Sequence, residues 1–184
     1  GALGDHARFA AEVLAQVDED MDFRLYDNDG PDGLPDSGDD DGIVDYVFIN
    51  MRTVPTGFLV GNASGLAGLA YGQQVLYQSD DISVVSKVPI RVAGGLSGGS
   101  FVAEGNWGQT VGIMAHEFGH GLGLPDLFDV SRNRNPDEDP SEDSAGIGRW
   151  GLMGWGATGW AGASGPVAFS AWSLEQLGWL GPDN

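Results

Sequence analysis

The chain contains no cysteine, which closes off disulfides and thiolate metal sites. It has no apolar run near the roughly 18 residues that a membrane-spanning helix needs. Positive charge is scarce. Eight basic residues stand against 27 acidic ones, for a formal net charge of −19, and such a chain repels nucleic acid and anionic lipid. No initiating Met precedes Gly1, which therefore reads as a processing boundary with any address label outside this sequence.

What is present suits a globular domain. The apolar fraction of 41% is ordinary for a folded protein, and 184 residues are enough for one domain with its own core. The four-residue spacing of Phe9, Val13, Val17 and Met21 predicts a helix over 5–20 with that face inward. IVDYVFIN at 43–50 reads as a strand, as do 82–93 and 99–103, with Pro89 marking an edge or bulge in the former. A helix is expected over 109–122, and another over 167–177 that starts at Pro166 and stops at Gly178. The acidic stretch 131–146 reads as a solvated insertion.

The chemistry concentrates in HEFGHGLGLPD at 116–126. Each helical residue advances about 100°, so His116 and His120 share a face and two imidazoles there can grip one Zn²⁺. Val111, Met114, Ala115, Phe118 and Leu122 fall on the opposite side, so the helix is expected to bury that stripe and aim its histidines into a cleft. Glu117 lies beside the pair but offset, as suits a base acting on a metal-bound water. Catalytic zinc needs a third protein ligand, and His6 is the one other histidine. A carboxylate is therefore expected. Gly123 and Pro125 can turn the chain back so that Asp126 arrives, with Asp129 as the runner-up or as a partner to a ligand histidine. Against this stands the plain alternative that an i, i+4 histidine pair needs no metal.

HExxHxxGxxD followed by a Gly-flanked Met resembles the metzincin clan. HEFGHGLGLPDLFD, GRWGLMGWG at 148–156 and PVAFSAWSLEQLGWL at 166–180 resemble, more narrowly, the immune inhibitor A-like zinc metallopeptidases. The resemblance implies His116, His120 and Asp126 as zinc ligands, Glu117 as general base and Met153 as the Met-turn residue beneath the metal. On composition alone, Met153 would be core filler. Some metzincins place a Tyr two residues after that Met, whereas this chain has Trp155, whose indole can donate a hydrogen bond but cannot ligate zinc.

Residues 18–45 hold twelve acidic side chains opposed only by Arg24. Within YDNDGPDGLPDSGDDDGIVDYVFI at 26–49, carboxylates alternate with turn residues in a way that can wrap Ca²⁺, which takes six to eight oxygens. Asp27, Asp29, Asp39, Asp41 and Asp45 are the expected ligands, with Asp32 and Asp36 next. A solvated acidic turn is the alternative. The similar YDNDG-type loop of the family points to calcium.

These readings combine into an α+β fold: a metzincin-like metallopeptidase domain with a twisted mixed sheet, largely parallel, over an N-terminal helix and an active-site helix. Residues 1–123, with acidic loop 26–45, would form an upper subdomain, and 124–184, with the Met-turn and C-terminal helix, a smaller irregular lower one. An extended peptide would bind in the cleft between them as an added strand. The expected activity is zinc endopeptidase hydrolysis of extracellular proteins by a secreted enzyme. Propeptide and C-terminal domains would flank it in the full-length protein. Alternatives are a calcium-organised adhesion or scaffold module with a vestigial zinc site, or a zinc hydrolase of non-peptide amides.

Overall fold

A computed structural model describes residues 5–54, 58–59, 63–69, 77–98, 107–130, 144–160 and 165–181. The strand expected at 99–103 and most of the acidic stretch 131–146 lie outside these residues. The chain is mixed α+β. Its order is α1 (Asp5–Asp18), β1 (Ile43–Asn50), β2 (Gly65–Leu66), β3 (Tyr77–Ile82), β4 (Pro89–Ser97), α2 (Trp107–Gly121) and α3 (Ala171–Gln176). Short 3-10 turns occupy Phe23–Tyr26, Gly148–Trp150 and Trp155–Thr158. Two compact units result, one of Gly1–Ile49 with Gly68–Leu96 and one of Asn50–Ala67 with Ser97–Asn184.

In the first unit, β1 pairs with β4. The Arg91 amide donates to the Gly42 carbonyl (3.0 Å), and further along both strands Gly94 lies against Val47, so the two run parallel. β3 runs antiparallel to β4, with Tyr77 opposite Val92 and Ile82 opposite Pro89, and the sheet is mixed. The strand expected over 82–93 is in fact the end of β3, a turn, and the start of β4. Ser83 Oγ accepts from the amides of Val85 and Ser86, and Lys87 adopts φ +63, which together reverse the chain. Val84, Val85 and Val88 are exposed there, so their β-branched character does not mark a buried strand. Pro89 opens β4, a position where its missing amide costs the ladder little.

The core of this unit joins Ala10 and Leu14 of α1 to Phe23, Val44, Leu69, Ile90 and Val92. The buried face of α1 is thus His6, Ala10 and Leu14, one position round the helix from the expected Phe9–Val13–Val17–Met21 face, of which Val17 packs against the core and Met21 is exposed. Asp18 fastens the helix end to β3, accepting from Tyr77 Oη (2.7 Å) and the Asp80 amide (3.0 Å).

In the second unit, α2 packs against β2 and against the Trp155–Thr158 turn. A smaller core gathers Ile113, Leu152 and Ala157, with Phe169 and Ala115 beside it. The face of α2 that is buried carries Thr110, Gly112, Ile113, His116, Glu117 and Gly119. Of the expected apolar stripe, Val111, Phe118 and Leu122 are exposed, while Met114 and Ala115 are half-buried. The reason is close approach. A Cβ on Gly112 would overlap the Ala157 carbonyl oxygen, and one on Gly119 would overlap the Met153 sulfur. Gly112 and Gly119 therefore set how closely the helix meets the rest of the unit. The last helix is also shorter than expected. Residues 166–169 are not helical, and their backbone pairs elsewhere: the Val167 amide donates to the Gly156 carbonyl and the Ala168 carbonyl accepts from the Leu152 amide. Ser170 then caps α3 by accepting from the Ser173 amide (3.2 Å), and Gly178 ends it at φ +68.

Candidate metal centre

Gly123, at φ +92, and the bond from the Leu124 amide to the Gly119 carbonyl turn the chain back under α2 and bring Asp126 to the two histidines. His116 Nε2 lies 3.0 Å from Asp126 Oδ1, and His120 Nε2 lies 3.4 Å from the same oxygen. Each ring's other nitrogen faces a backbone carbonyl: His116 Nδ1 that of Leu152 at 2.8 Å, His120 Nδ1 that of Leu124 at 2.7 Å. A carbonyl can only accept, so both Nδ1 atoms carry hydrogen. In the neutral imidazoles the two Nε2 lone pairs then point at a carboxylate oxygen. Three facing acceptors need a cation among them, which is either a proton that turns an imidazole into a donor to Asp126 or a metal ion. Ligands 2.0–2.2 Å from a tetrahedral zinc stand about 3.3–3.6 Å apart, so the two His–Asp126 pairs, at 3.0 and 3.4 Å, need shifts of only a few tenths of an ångström to fit such an ion. Asp129 is not one of the grouped ligand atoms; its amide donates to the Ser144 carbonyl.

The electrostatics agree with a cation-seeking site. Burial pushes the Glu117 carboxyl above its usual range, with His116 and His120 opposing and Asp126 reinforcing that shift. Burial lowers His120, but Asp126 and the Leu124 carbonyl more than offset it, and the net shift is upward. Burial also works against ionised Asp126, yet the two imidazoles hold it well below the carboxylate range. Met153 is fully buried, with its sulfur against Gly119 between the two histidines of the motif. Arg149 donates to the Gly159 carbonyl and braces the loop that carries Met153. Trp155 is half exposed.

The acidic loop is organised differently from the sequence expectation. Oxygens of Asp27, Asp29 and Asp40 approach within 4.8 Å of one another, and Asp40 was not among the expected ligands. Asp27 is 1% exposed, and its Oδ1 is buried with no hydrogen-bond partner. Burial, then the charge of Asp40, push its carboxyl up, against the amides of Gly42 and Ile43. An orphaned buried oxygen among three carboxylates fits a hard cation. Asp39 instead accepts from Ser37 Oγ and the Asp32 amide, Asp41 accepts from the Ile43 amide, and Asp45 stands outside the group. Asp32 accepts from the Leu34 amide. Asp36, buried at φ +50, binds Ser83 Oγ (2.5 Å) and the Val84 amide (2.7 Å), so it clamps the loop to the β3–β4 turn.

A HExxH helix whose two histidines converge on a following aspartate matches the metalloprotease motif, and Met153 is buried against the same helix. The chain belongs to the immune inhibitor A peptidase M6 family, whose catalytic-domain model matches residues 5–180. It is also similar to the pre-pro-metalloprotease PrtV of Vibrio cholerae, from strain M66-2 and from the El Tor Inaba strain N16961. Each is 27% identical over 176 residues, covering 90% of this chain and 18% of the relative. The chain therefore spans under a fifth of the length of these curated relatives. No solved structure is significantly similar to it.

Proposed function

We propose that this domain is a zinc-dependent endopeptidase of extracellular proteins, with His116, His120 and Asp126 holding the zinc and Glu117 as general base. The observation that carries the reading is the convergence of both Nε2 atoms on one Asp126 oxygen while both Nδ1 positions are occupied by carbonyls. When bound, the ion supplies Lewis-acid polarisation of a water and of the scissile carbonyl. Glu117, held in a buried site beside the ligands, takes the proton from the attacking water and returns it to the leaving amine. Its raised affinity for protons suits that double task. The Leu152 and Leu124 carbonyls keep the histidines in the ligating tautomer.

An aspartate as third ligand, with Met153 beneath the site, supports a metzincin-like arrangement. The pre-pro designation of the relatives supports export and a flanking propeptide. A structural calcium ion held by Asp27, Asp29 and Asp40 completes the reading, supported by the unpartnered Asp27 oxygen. Digestion of a peptide library with and without chelator tests it. Zinc-loaded Glu117→Ala should keep its fold and metal and lose roughly 10²–10⁴ in rate. Wild-type turnover in that variant, or cleavage indifferent to chelation, would overturn it.

A further inference from the structure

Gly65, on β2, lies against the Glu117 side chain. A Cβ built there would stand 2.6 Å from Glu117 Cγ and 2.7 Å from Cδ, and would overlap Oε1. Real Cβ atoms do not approach other heavy atoms below 3.0 Å, so this position excludes every residue but glycine while Glu117 keeps its place. Gly65 does not adopt a left-handed φ, so the demand is one of space rather than backbone conformation.

Neither backbone is free to retreat. On one side, the Ser64 carbonyl accepts from the Gly98 amide (2.8 Å), and the adjacent Ser97 is fully buried with its carbonyl accepting from the Met51 amide (2.8 Å). On the other, α2 is seated by Gly112 on the Ala157 carbonyl and by Gly119 on Met153, where no slack remains. Within α2, His116 is tied to the Leu152 carbonyl one residue before Glu117. A side chain at 65 is therefore relieved mainly by displacing the Glu117 carboxylate.

We infer that Gly65 is a positioning residue for Glu117: the bare backbone of β2 forms the wall that sets the carboxylate beside the His116–His120–Asp126 group. The inference deepens the proposed function, on which its kinetic half rests. The base must lie within hydrogen-bond reach of the proton it takes, and a displacement of about 1 Å costs on the order of 100-fold in rate.

The test is a cycle of the full chain as wild type, Gly65→Ala, Glu117→Ala and the double variant, followed by melting temperature, zinc content and steady-state kinetics. Gly65→Ala should lower kcat about 100-fold, with KM changed less than about threefold and zinc retained. It should lower the melting temperature by roughly 3–8 °C in the wild-type background, as overpacking does, and by little when Glu117 is already alanine. If Gly65→Ala alone does not fold, recovery of a folded double variant carries the same result. An equal thermal cost in both backgrounds overturns the contact, and an effect on KM alone overturns the positioning role. Should the wild-type chain prove inactive on peptides while the thermal coupling holds, the endopeptidase reading falls and the Gly65–Glu117 contact stands.

Discussion

Millimolar calcium added to the chain stripped of calcium but retaining zinc should raise its melting temperature by about 5–11 °C. A ligand that binds only the folded state at a hundredfold excess over Kd stabilises by about 2.7 kcal/mol, and each kcal/mol moves a domain of this size by about 2–4 °C. The effect should depend on Asp27 and Asp40, whose oxygens meet with that of Asp29. Asp27→Asn or Asp40→Asn should remove most of the gain. Asp39→Asn with Asp41→Asn should leave most of it, because those side chains are occupied with Ser37, Asp32 and Ile43. The pH dependence follows from the raised affinity of Asp27 for protons, caused first by burial and then by Asp40. Without the cation, its contribution is present below the ordinary value of 3.8 and is lost as pH rises through the higher folded value. With calcium bound the same carboxyl must be ionised, so the calcium-induced shift should shrink as pH falls through that window. Scanning calorimetry of the wild type and the three variants, with and without calcium, reads all of this. Sodium chloride at matched ionic strength is the decisive control, since screening also relieves carboxylate repulsion. If salt alone reproduces the shift, or if the Asp39/Asp41 pair abolishes it while Asp27→Asn does not, the reasoning is refuted.

Three further outcomes are expected. Elemental analysis should find that Asp126→Ala loses the zinc and Asp129→Ala retains it, because Asp126 Oδ1 lies against both histidines. Gly119→Ala should cost about 1–3 kcal/mol by driving its Cβ into the buried Met153 sulfur, and pairing it with Met153→Ala should cost less than the sum of the two in denaturant titrations. Tyr77 is pushed up to about 12, first by burial and then by its bond to Asp18, so folded wild type should lose stability as pH rises from 10 towards 12. Tyr77→Phe should lack that loss while being about 1–2 kcal/mol less stable at neutral pH, as denaturant midpoints across the range would show.

The parts of the site legible in the sequence are those whose geometry is local. An i, i+4 histidine pair is placed by helical rise and twist alone, and a glycine three residues later permits the turn that returns Asp126. The parts that were not legible depend on groups without a sequence signature. Asp39, Asp40 and Asp41 are adjacent and chemically identical. Which of them turns inward is decided by the amides each can reach, with Asp40 taking those of Gly30 (2.8 Å) and Ser37 (2.6 Å). The stripe on α2 failed for a related reason. Periodicity locates the large apolar residues, but the face that is covered is the one that can be approached most closely, and here Gly112 and Gly119 set that approach beside Thr110, Ile113, His116 and Glu117. The β3–β4 turn was hidden by valines that a buried strand would also use. What holds the histidines in their ligating tautomer is two main-chain carbonyls, a group every residue possesses, so no residue type at 124 or 152 could have announced it. Gly65 lies between these cases. Its identity is visible in the sequence, but its meaning depends on a strand more than fifty residues away being laid against Glu117. A glycine-rich chain of this kind hides its functional constraints among residues that otherwise mark turns, and only the distance from an absent Cβ to its neighbours separates the two.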